Sequence, residues 1–317
     1  SVQANSIAQA MEQAFAIPTW AMGLVLMAIV APIIFGGLKS IAKVAELVVP
    51  LMALLYLILA LVVVALNISD LPAAIMTIVQ SAFGIEQAAG GAMGYAISQA
   101  IMNGIQRGLF SNEAGMGSAP NAAATASTRP DHPAAQGFIQ MLGVFLDTLV
   151  ICTATAAIII MAGPELLAGE ENNGIQLTQT ALSSHVGDWG GMFIAIAILL
   201  FAFTSVIANY SYGESNIEYL AGRRAPVAVM IYRFAVLGMI MVGSVASLGA
   251  IWNFADLSMG MMAIINLVAI LLLSPIAFAL FKDYDTQLKA GKEPVFDPSQ
   301  FPKLAKKVDP NAWPKQK

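Results

Sequence analysis

Apolar runs alternate with short polar joints along almost the whole chain. The runs have the length that crosses a bilayer as helix, about 20 residues. Seven segments have this form: Trp20 to Gly36, Ala45 to Leu66, Ile85 to Ala126, Ala134 to Met161, Met192 to Tyr210, Val227 to Ile251 and Met259 to Phe281. Pro50 falls in the first turns of the second segment, where a helix tolerates it. NISDLPAAIMTIVQSAFG, after Leu66, is too polar and interrupted for a span and reads as an interfacial or re-entrant helix. NFAD reads as a short turn between the last two segments, GPELLAGEENNGIQLTQTALSSHVGDWGG as an acidic, amide-rich loop, and SYGESNIEYL as a polar continuation of the fifth segment.

The third segment is about twice the length of a single crossing and breaks its rules. Within NGIQRGLFSNEAGMGSAPNAAATA, Arg107 and Glu113 carry charge, four glycines loosen the backbone, and Pro120 lacks an N–H. Irregular backbone at membrane depth survives only against protein or a wet cavity. Two readings follow. In one, two half-helices flank an unwound SNEAGMGS, whose freed N–H groups can meet a carboxylate and whose freed C=O groups can meet an ammonium or a cation. In the other, a full helix ends at Phe110, a loop and a short helix follow, and Asn112 and Glu113 act as caps. Gly90, Gly91 and Gly94 offer a second break or close helix packing.

Composition agrees with the hydropathy pattern. Hydrophobic residues make up 58% and charged residues 11% of the 317, with mean hydropathy +0.75; soluble domains carry about 25% charged residues. The chain is expected to be an all-α polytopic membrane protein. A net charge of −4 gives no footing for nucleic acid. Cys152, the single cysteine, excludes an internal disulfide and reads as packing. The chain begins at Ser1, and its first twenty residues read as the end of a longer element, so an N-terminal part is expected to precede it.

Charge then sets direction. The fifteen Lys and Arg group at Lys39 and Lys43, at Arg107 and Arg129, at Arg223, Arg224 and Arg233, and after the last segment. With one crossing per segment these lie on one side, while Asp70, Glu86, Glu165, Glu170, Glu171, Asp188 and Asp256 lie on the other. The positive-inside bias makes the basic side, and the tail from Lys282, cytoplasmic.

Two further constellations could carry chemistry. Phe201, Thr204 and Ser205 sit at i, i+3 and i+4, so two hydroxyls stand beside one backbone carbonyl, a neutral oxygen set suited to a small alkali cation. Back-bonding and helix packing are the alternative use. Asp147 lies mid-segment, where a carboxylate is costly, and its partner is a cation, a proton or Arg107. Gln136 and Gln140, one turn apart, are expected to bridge to neighbouring helices. Gly238, Gly243 and Gly249 with Ser244 and Ser247 form a small-residue packing face, and Trp252 fits an interfacial anchor. His132 and His185 read as solvated, and no nucleophile triad, phosphate loop or metalloenzyme signature is present.

At RGLFSNEAGMGSAPNAAATA, together with VQANSIAQAM, GGLKSIAKVAELVVPLMALLY, QGFIQMLGVFLDTLVICTATA and YSYGESNIEYL, the chain closely resembles the alanine or glycine:cation symporter family, the sodium:alanine symporters of bacteria and archaea. The likeness covers nearly the whole chain. It implies a leucine-transporter-type inverted-repeat fold: two five-helix repeats around a central site, with an extra helix at the N-terminus. On that pattern residues 1–66 hold the last two helices of the first repeat, 67–281 the second repeat and 282–317 the cytoplasmic tail. About seven crossings are present, the first broken helix is missing, and this stretch alone should not transport. The family's Gly-rich, aromatic N-terminal signature is also absent.

The resemblance implies sodium-coupled import of alanine or glycine by alternating access across the cell membrane, with Na+ as coupling ion and no other cofactor. It implies unwinding at Ser111 to Ser118, the second broken helix, and sodium ligation by Phe201, Thr204 and Ser205. The substrate candidates are Ser111, Asn112, Glu113, Gly115, Gly117, Ser118 and Asp147, with a tight apolar wall selecting the small side chain. Open beside this stand proton coupling through Asp147 or Glu113, a membrane-embedded enzyme, and a non-transporting half that pairs with another subunit.

Overall fold

The computed structural model describes residues 1–83, 93–163 and 174–305, with backbone alone at 38–45, 93, 96, 303 and 305. Gly90, Gly91, Glu86, Glu165, Glu170, Glu171, the side chains of Lys39 and Lys43, and the chain beyond Ala305 lie outside the described residues.

Every regular element described is helical. The main ones in order are α1 (Val2–Phe15), α2 (Thr19–Phe35), α3 (Leu38–Leu66), α4 (Leu71–Ala82), α5 (Met93–Asn112), α6 (Ala119–Thr125), α7 (Pro133–Phe145), a π-helical stretch (Leu146–Cys152), α8 (Thr153–Met161), α9 (Ile175–Val186), α10 (Trp189–Ala221), α11 (Ala225–Val245) and α12 (Leu248–Lys289), with short 3-10 turns at Gly222–Arg224 and Pro298–Gln300 and a last helical turn at Pro302–Ala305. Prolines mark several starts: Pro72, Pro120, Pro133 and Pro226 sit in the first two helical positions, where no N–H is needed. Among the described residues four helical stretches are long and apolar enough to cross a membrane: Glu46–Leu66, Pro133–Met161, Trp189–Val245 and Leu248–Lys289. The third comprises α10, a 3-10 turn and α11; α2 and α4 are shorter apolar helices. Large apolar side chains stay uncovered along them, Leu61 at 66%, Ile265 at 73% and Leu272 at 75% exposure, as helices facing lipid require.

The chain forms two compact units, one from Ser1–Arg107 and Thr148–Ser258, the other from Gly108–Asp147 and Met259–Lys317. The core of the first is a helix cluster in which α1 lies among α2, α10 and α11. Ala4, Ile7 and Ala8 pack with Leu26, Val30, Ile207 and Ile240, all nearly inaccessible. Amides tie α1 down. Asn5 Nδ2 donates to the carbonyls of Gly243 at 2.9 Å and Ala246 at 2.8 Å, and Gln179 Nε2 donates to those of Ala10 and Gly191, both at 3.1 Å. The Asn5 bonds fall where α11 ends, so the freed carbonyls of that terminus are met by a side chain rather than water. A second cluster joins Tyr56, Leu59 and Val63 of α3 to Ile158, Leu182 and Ile194. Buried charge in this unit is paired: Arg233 donates to Glu214 at 2.8 Å and to the Tyr210 hydroxyl at 2.9 Å.

The second unit is held at one end by aromatic packing. The His132 ring contacts Tyr284 at 5.2 Å and Phe296 at 5.8 Å, and Phe138 contacts Tyr284 at 5.4 Å. The chain after α12 returns to the loop before α7, where the Phe296 N–H donates to the Asp131 carbonyl at 2.9 Å.

Several expectations change. The first twenty residues contain a docked helix, α1. The acidic loop contains α9, whose apolar face fills the second cluster. No turn forms at NFAD: the break falls at Ala246 and Ser247, and α12 runs through Asn253–Asp256, because four residues without Gly or Pro give no reason to leave a helix. His132 is fully buried, accepting from the Ala134 N–H at 3.1 Å with Nδ1 and reaching Asp283 at 3.2 Å with Nε2. His185 is not a solvated loop residue either, since its ring nitrogens meet the Ile158 carbonyl at 2.9 Å and Asn67 at 3.3 Å. Cys152 is exposed rather than packed. Of the proposed small-residue face, Gly243 abuts the backbone of Ser1, whereas Gly238 and Gly249 face open space.

Candidate functional site

The break after α5 lies in the second unit. Three of five successive residues take left-handed backbone: Glu113 (φ 51°), Gly115 (φ 90°) and Gly117 (φ 93°). Such a residue just past a helix ends it, and glycine does so without the steric cost that Glu113 bears. Helix resumes at Ala119. The predicted break is therefore at 113–118, with Ser111 and Asn112 still helical, and its flanks are unequal, 20 residues of α5 against 7 of α6.

The freed carbonyls find donors. Asn266 Nδ2 donates to the Gly115 carbonyl at 2.9 Å, and Asn121 Nδ2 lies 3.2 Å from the carbonyls of both Gly117 and Ser118. Asn266 was not legible as a site residue, although a lone amide within MGMMAIINLVAILLL is a signal that could have found it. Ser118 is buried at 4% exposure, and its hydroxyl has no partner among the described residues.

A cavity of about 740 Å³ opens beside the break, within the range of small-molecule sites. Asn112, Glu113 and Gly115 line one side, Ala119 and Ala123 of α6 another, Gln136, Gln140 and Val144 of α7 a third, and Asn266 and Ile270 of α12 close it. Three of the seven substrate candidates thus reach the cavity. Gly117 and Ser118 belong to the same break without lining it. Ser111 donates a hydrogen bond to Asp147, so these two candidates meet each other. Asp147 stands in the first turn of the π-helical stretch, a rare form that often marks functional positions.

Phe201, Thr204 and Ser205 belong to the first unit. Thr204 Oγ1 donates to the Phe201 carbonyl at 2.8 Å and Ser205 Oγ to the same oxygen at 3.2 Å. Three neutral oxygens therefore cluster on α10, in the back-bonded arrangement that a resting helix adopts. Thr204 is buried and the Phe201 ring packs edge-on against Tyr56 at 5.8 Å.

Arg107 corrects the charge map. Its Nη2 lies 2.9 and 2.7 Å from the two carboxylate oxygens of Asp256, and its guanidinium stacks 4.1 Å from the Trp252 ring. The positive-inside count put these charges on opposite faces, about 30 Å apart. A contact pair cannot span that distance, so Arg107 and Asp256 do not stand on opposite faces as the count had them, and the Trp252 ring covers the guanidinium.

Long apolar helices with uncovered faces, and an interrupted helix opening onto a cavity, define a helical protein of the membrane-spanning class. The chain belongs to the sodium:alanine symporter family, whose model matches residues 1–298. It is 52% identical over 296 residues to the probable sodium/glutamine symporter GlnT of Bacillus subtilis, covering 93% of this chain and 60% of that protein. To the amino-acid carrier protein AlsT of the same organism it is 49% identical over 304 residues, covering 96% and 63%. The putative sodium/proton-dependent alanine carrier protein YrbD, also from B. subtilis, is 40% identical over 310 residues, covering 94% and 63%. The chain thus spans 60–63% of the length of these relatives.

Proposed function

We propose that this chain is the larger part of a sodium-coupled symporter that carries a small neutral amino acid into the cell by alternating access. The observation that carries the reading is the break at 113–118 beside the 740 Å³ cavity. Left-handed turns in a helix shed backbone hydrogen bonds, and in an apolar surrounding such groups are kept where a polar solute meets them. Asn112, Glu113 and Gly115 contact the solute, while Gly117, Ser118 and the Ser111–Asp147 pair shape the segment around it. The fold is of the leucine-transporter inverted-repeat type, with 1–66 from the first repeat, 67–281 as the second and about seven crossings in all. Lys39, Lys43, Arg129, Arg223, Arg224 and the tail place the basic face, and the tail with it, in the cytoplasm of a cell-membrane protein.

Sodium is the coupling ion, held by the Phe201 carbonyl and the Thr204 and Ser205 hydroxyls. Its approach turns both O–H groups away from the carbonyl, so three oxygens already gathered face one charge. Uptake of labelled alanine into vesicles, with the protein expressed from its complete reading frame, is expected to follow an imposed sodium gradient. Uptake indifferent to sodium, and to Thr204→Ala with Ser205→Ala, would refute the sodium assignment. A second reading, proton coupling, is favoured by the carboxylates at Glu113 in the cavity wall and Asp147 bonded to Ser111, and by the likeness to YrbD, a putative sodium/proton-dependent carrier. Uptake driven by a pH gradient without sodium distinguishes it.

A further inference from the structure

The cavity has one wall that cannot hold itself. Ala126, Thr128 and Pro133 line it on the side of the loop between α6 and α7. Residues 126–132 carry no helix or strand, and α6, at 7 residues, is too short to be stable alone. Among the described residues, hydrogen bonds and ring contacts from this loop to other elements converge on Asp131 and His132. His132 is 0% exposed. Its Nδ1 accepts from the Ala134 N–H, so Nε2 carries the proton and donates to Asp283 of α12 at 3.2 Å. The rest of the hold comes from beyond α12. Gly291, left-handed at φ 70°, closes that helix: its N–H donates to the Leu288 carbonyl and the Lys292 N–H to the Gln287 carbonyl, both at 3.0 Å, a pairing that turns a chain sharply. The returning chain lays the Phe296 ring on His132 and gives the Phe296 N–H to the Asp131 carbonyl.

We infer that residues 292–297 are a latch on the loop wall of the cavity: docked on Asp131 and His132 they hold that wall closed, and lifted they free it and open the cavity toward the cytoplasm. The inference rests on the transport reading above and adds a controlled exit to its cavity. Gln287 ties the two sides of the latch together. Its amide meets both the N–H and the carbonyl of Val295 in the returning chain, and its Nε2 also lies 2.9 Å from Asp283 Oδ2, the oxygen that His132 reaches. Loss of the returning chain therefore disturbs the partner of His132 as well as its ring stacking. These are few contacts, made by side chains and one backbone bond, and they can open without unwinding α7 or α12. A tail that is merely packed would leave the loop wall unchanged on release, whereas a latch moves it.

The test uses protein from the complete reading frame in inside-out membrane vesicles. Ala123→Cys supplies a reporter thiol in the cavity wall, with Cys152→Ser and any other cysteine likewise replaced. A membrane-impermeant methanethiosulfonate reagent is added, and the rate of thiol modification is read. Phe296→Ala removes the ring, and Gln287→Leu releases the returning chain without touching the loop. Each is expected to raise the modification rate about tenfold, while Lys289→Ala, at an exposed pair with Asp285, leaves it unchanged. Unchanged rates in both latch variants overturn the inference. A second measurement needs no substitution. Hydrogen exchange of the unaltered protein should release the Phe296 and Ala134 N–H groups at a common rate, because one opening frees both. Ala134 keeping its protection while Phe296 exchanges overturns the inference as well. If no amino acid tried is taken up or slows modification of the reporter thiol, the transport reading itself is refuted, a separate result.

Discussion

The side-chain amide of Asn266 donates to the Gly115 carbonyl at 2.9 Å, so one residue of an otherwise apolar helix holds the turn that interrupts its neighbour. Both partners lie in the second unit. Replacing Asn266 with leucine keeps the volume roughly and strands the carbonyl, a loss of about 1–3 kcal/mol where water does not replace the donor. The expected outcome for Asn266→Leu is a rise of about tenfold in the apparent substrate KM, since 1.4 kcal/mol is a factor of ten. Kinetics of labelled uptake over a substrate series check this. An unchanged KM would show that the turn holds its shape without the amide.

Gly117 meets two constraints at once. Its φ is 93°, and a Cβ there would stand 3.2 Å from the Cβ and Cγ of Asn266. Alanine at this position bears a left-handed penalty of about 1–2 kcal/mol before any crowding is counted. Gly108 is the control, lying inside α5 with nothing within 4 Å of an added Cβ. There alanine should be neutral or stabilising by about 0.5–1 kcal/mol. Thermal unfolding of the detergent-solubilised protein is expected to show Gly117→Ala lowered and Gly108→Ala unchanged or raised. The reverse order would place the break elsewhere.

The break was legible because its residues disobey local rules: Gly115, Gly117 and Pro120 are poor helix formers whatever their surroundings. Its extent was less so. Ser111 and Asn112 carry no breaking signal and stay helical, while Glu113, a good helix former, takes the left-handed turn. The apolar segments were legible by length, yet α9 escaped because a polar, amide-rich run of 12 residues looks like loop until its few buried positions find a partner. His132 escaped for a related reason. A histidine between prolines reads as surface, and only the fold brings Asp283, Tyr284 and Phe296 around it. Asn266 and the Arg107–Asp256 pair are relations across more than a hundred residues, which no local pattern encodes.

That pair gives a direct measurement. Arg107 and Asp256 are partly exposed, at 42% and 24% of their side chains, so solvent screening holds their coupling to about 1 kcal/mol. A double-mutant cycle of Arg107→Gln and Asp256→Asn should return a coupling of about 0.5–1 kcal/mol in unfolding free energy. A coupling of zero would restore the simple alternation in which these residues face opposite sides of the membrane.

The last relation concerns the chain beyond α12. Phe296 is 5% exposed, packs on the His132 ring, and donates its N–H to the Asp131 carbonyl, while Gln287 holds Val295 by both amide atoms, at 2.9 and 3.0 Å. A buried phenylalanine truncated to alanine typically costs about 3–5 kcal/mol. Here the segment it anchors is short and terminal to the helix, so the loss is expected as local opening rather than global unfolding. Hydrogen exchange on Phe296→Ala should speed up by about a hundredfold or more at residues 295–296, with exchange in α10 unchanged. Val295 would follow because its bonds to Gln287 depend on the chain staying down. If residues 295–296 kept their protection, the Gln287 clasp alone would be holding the segment, and the aromatic contact with His132 would be incidental to it.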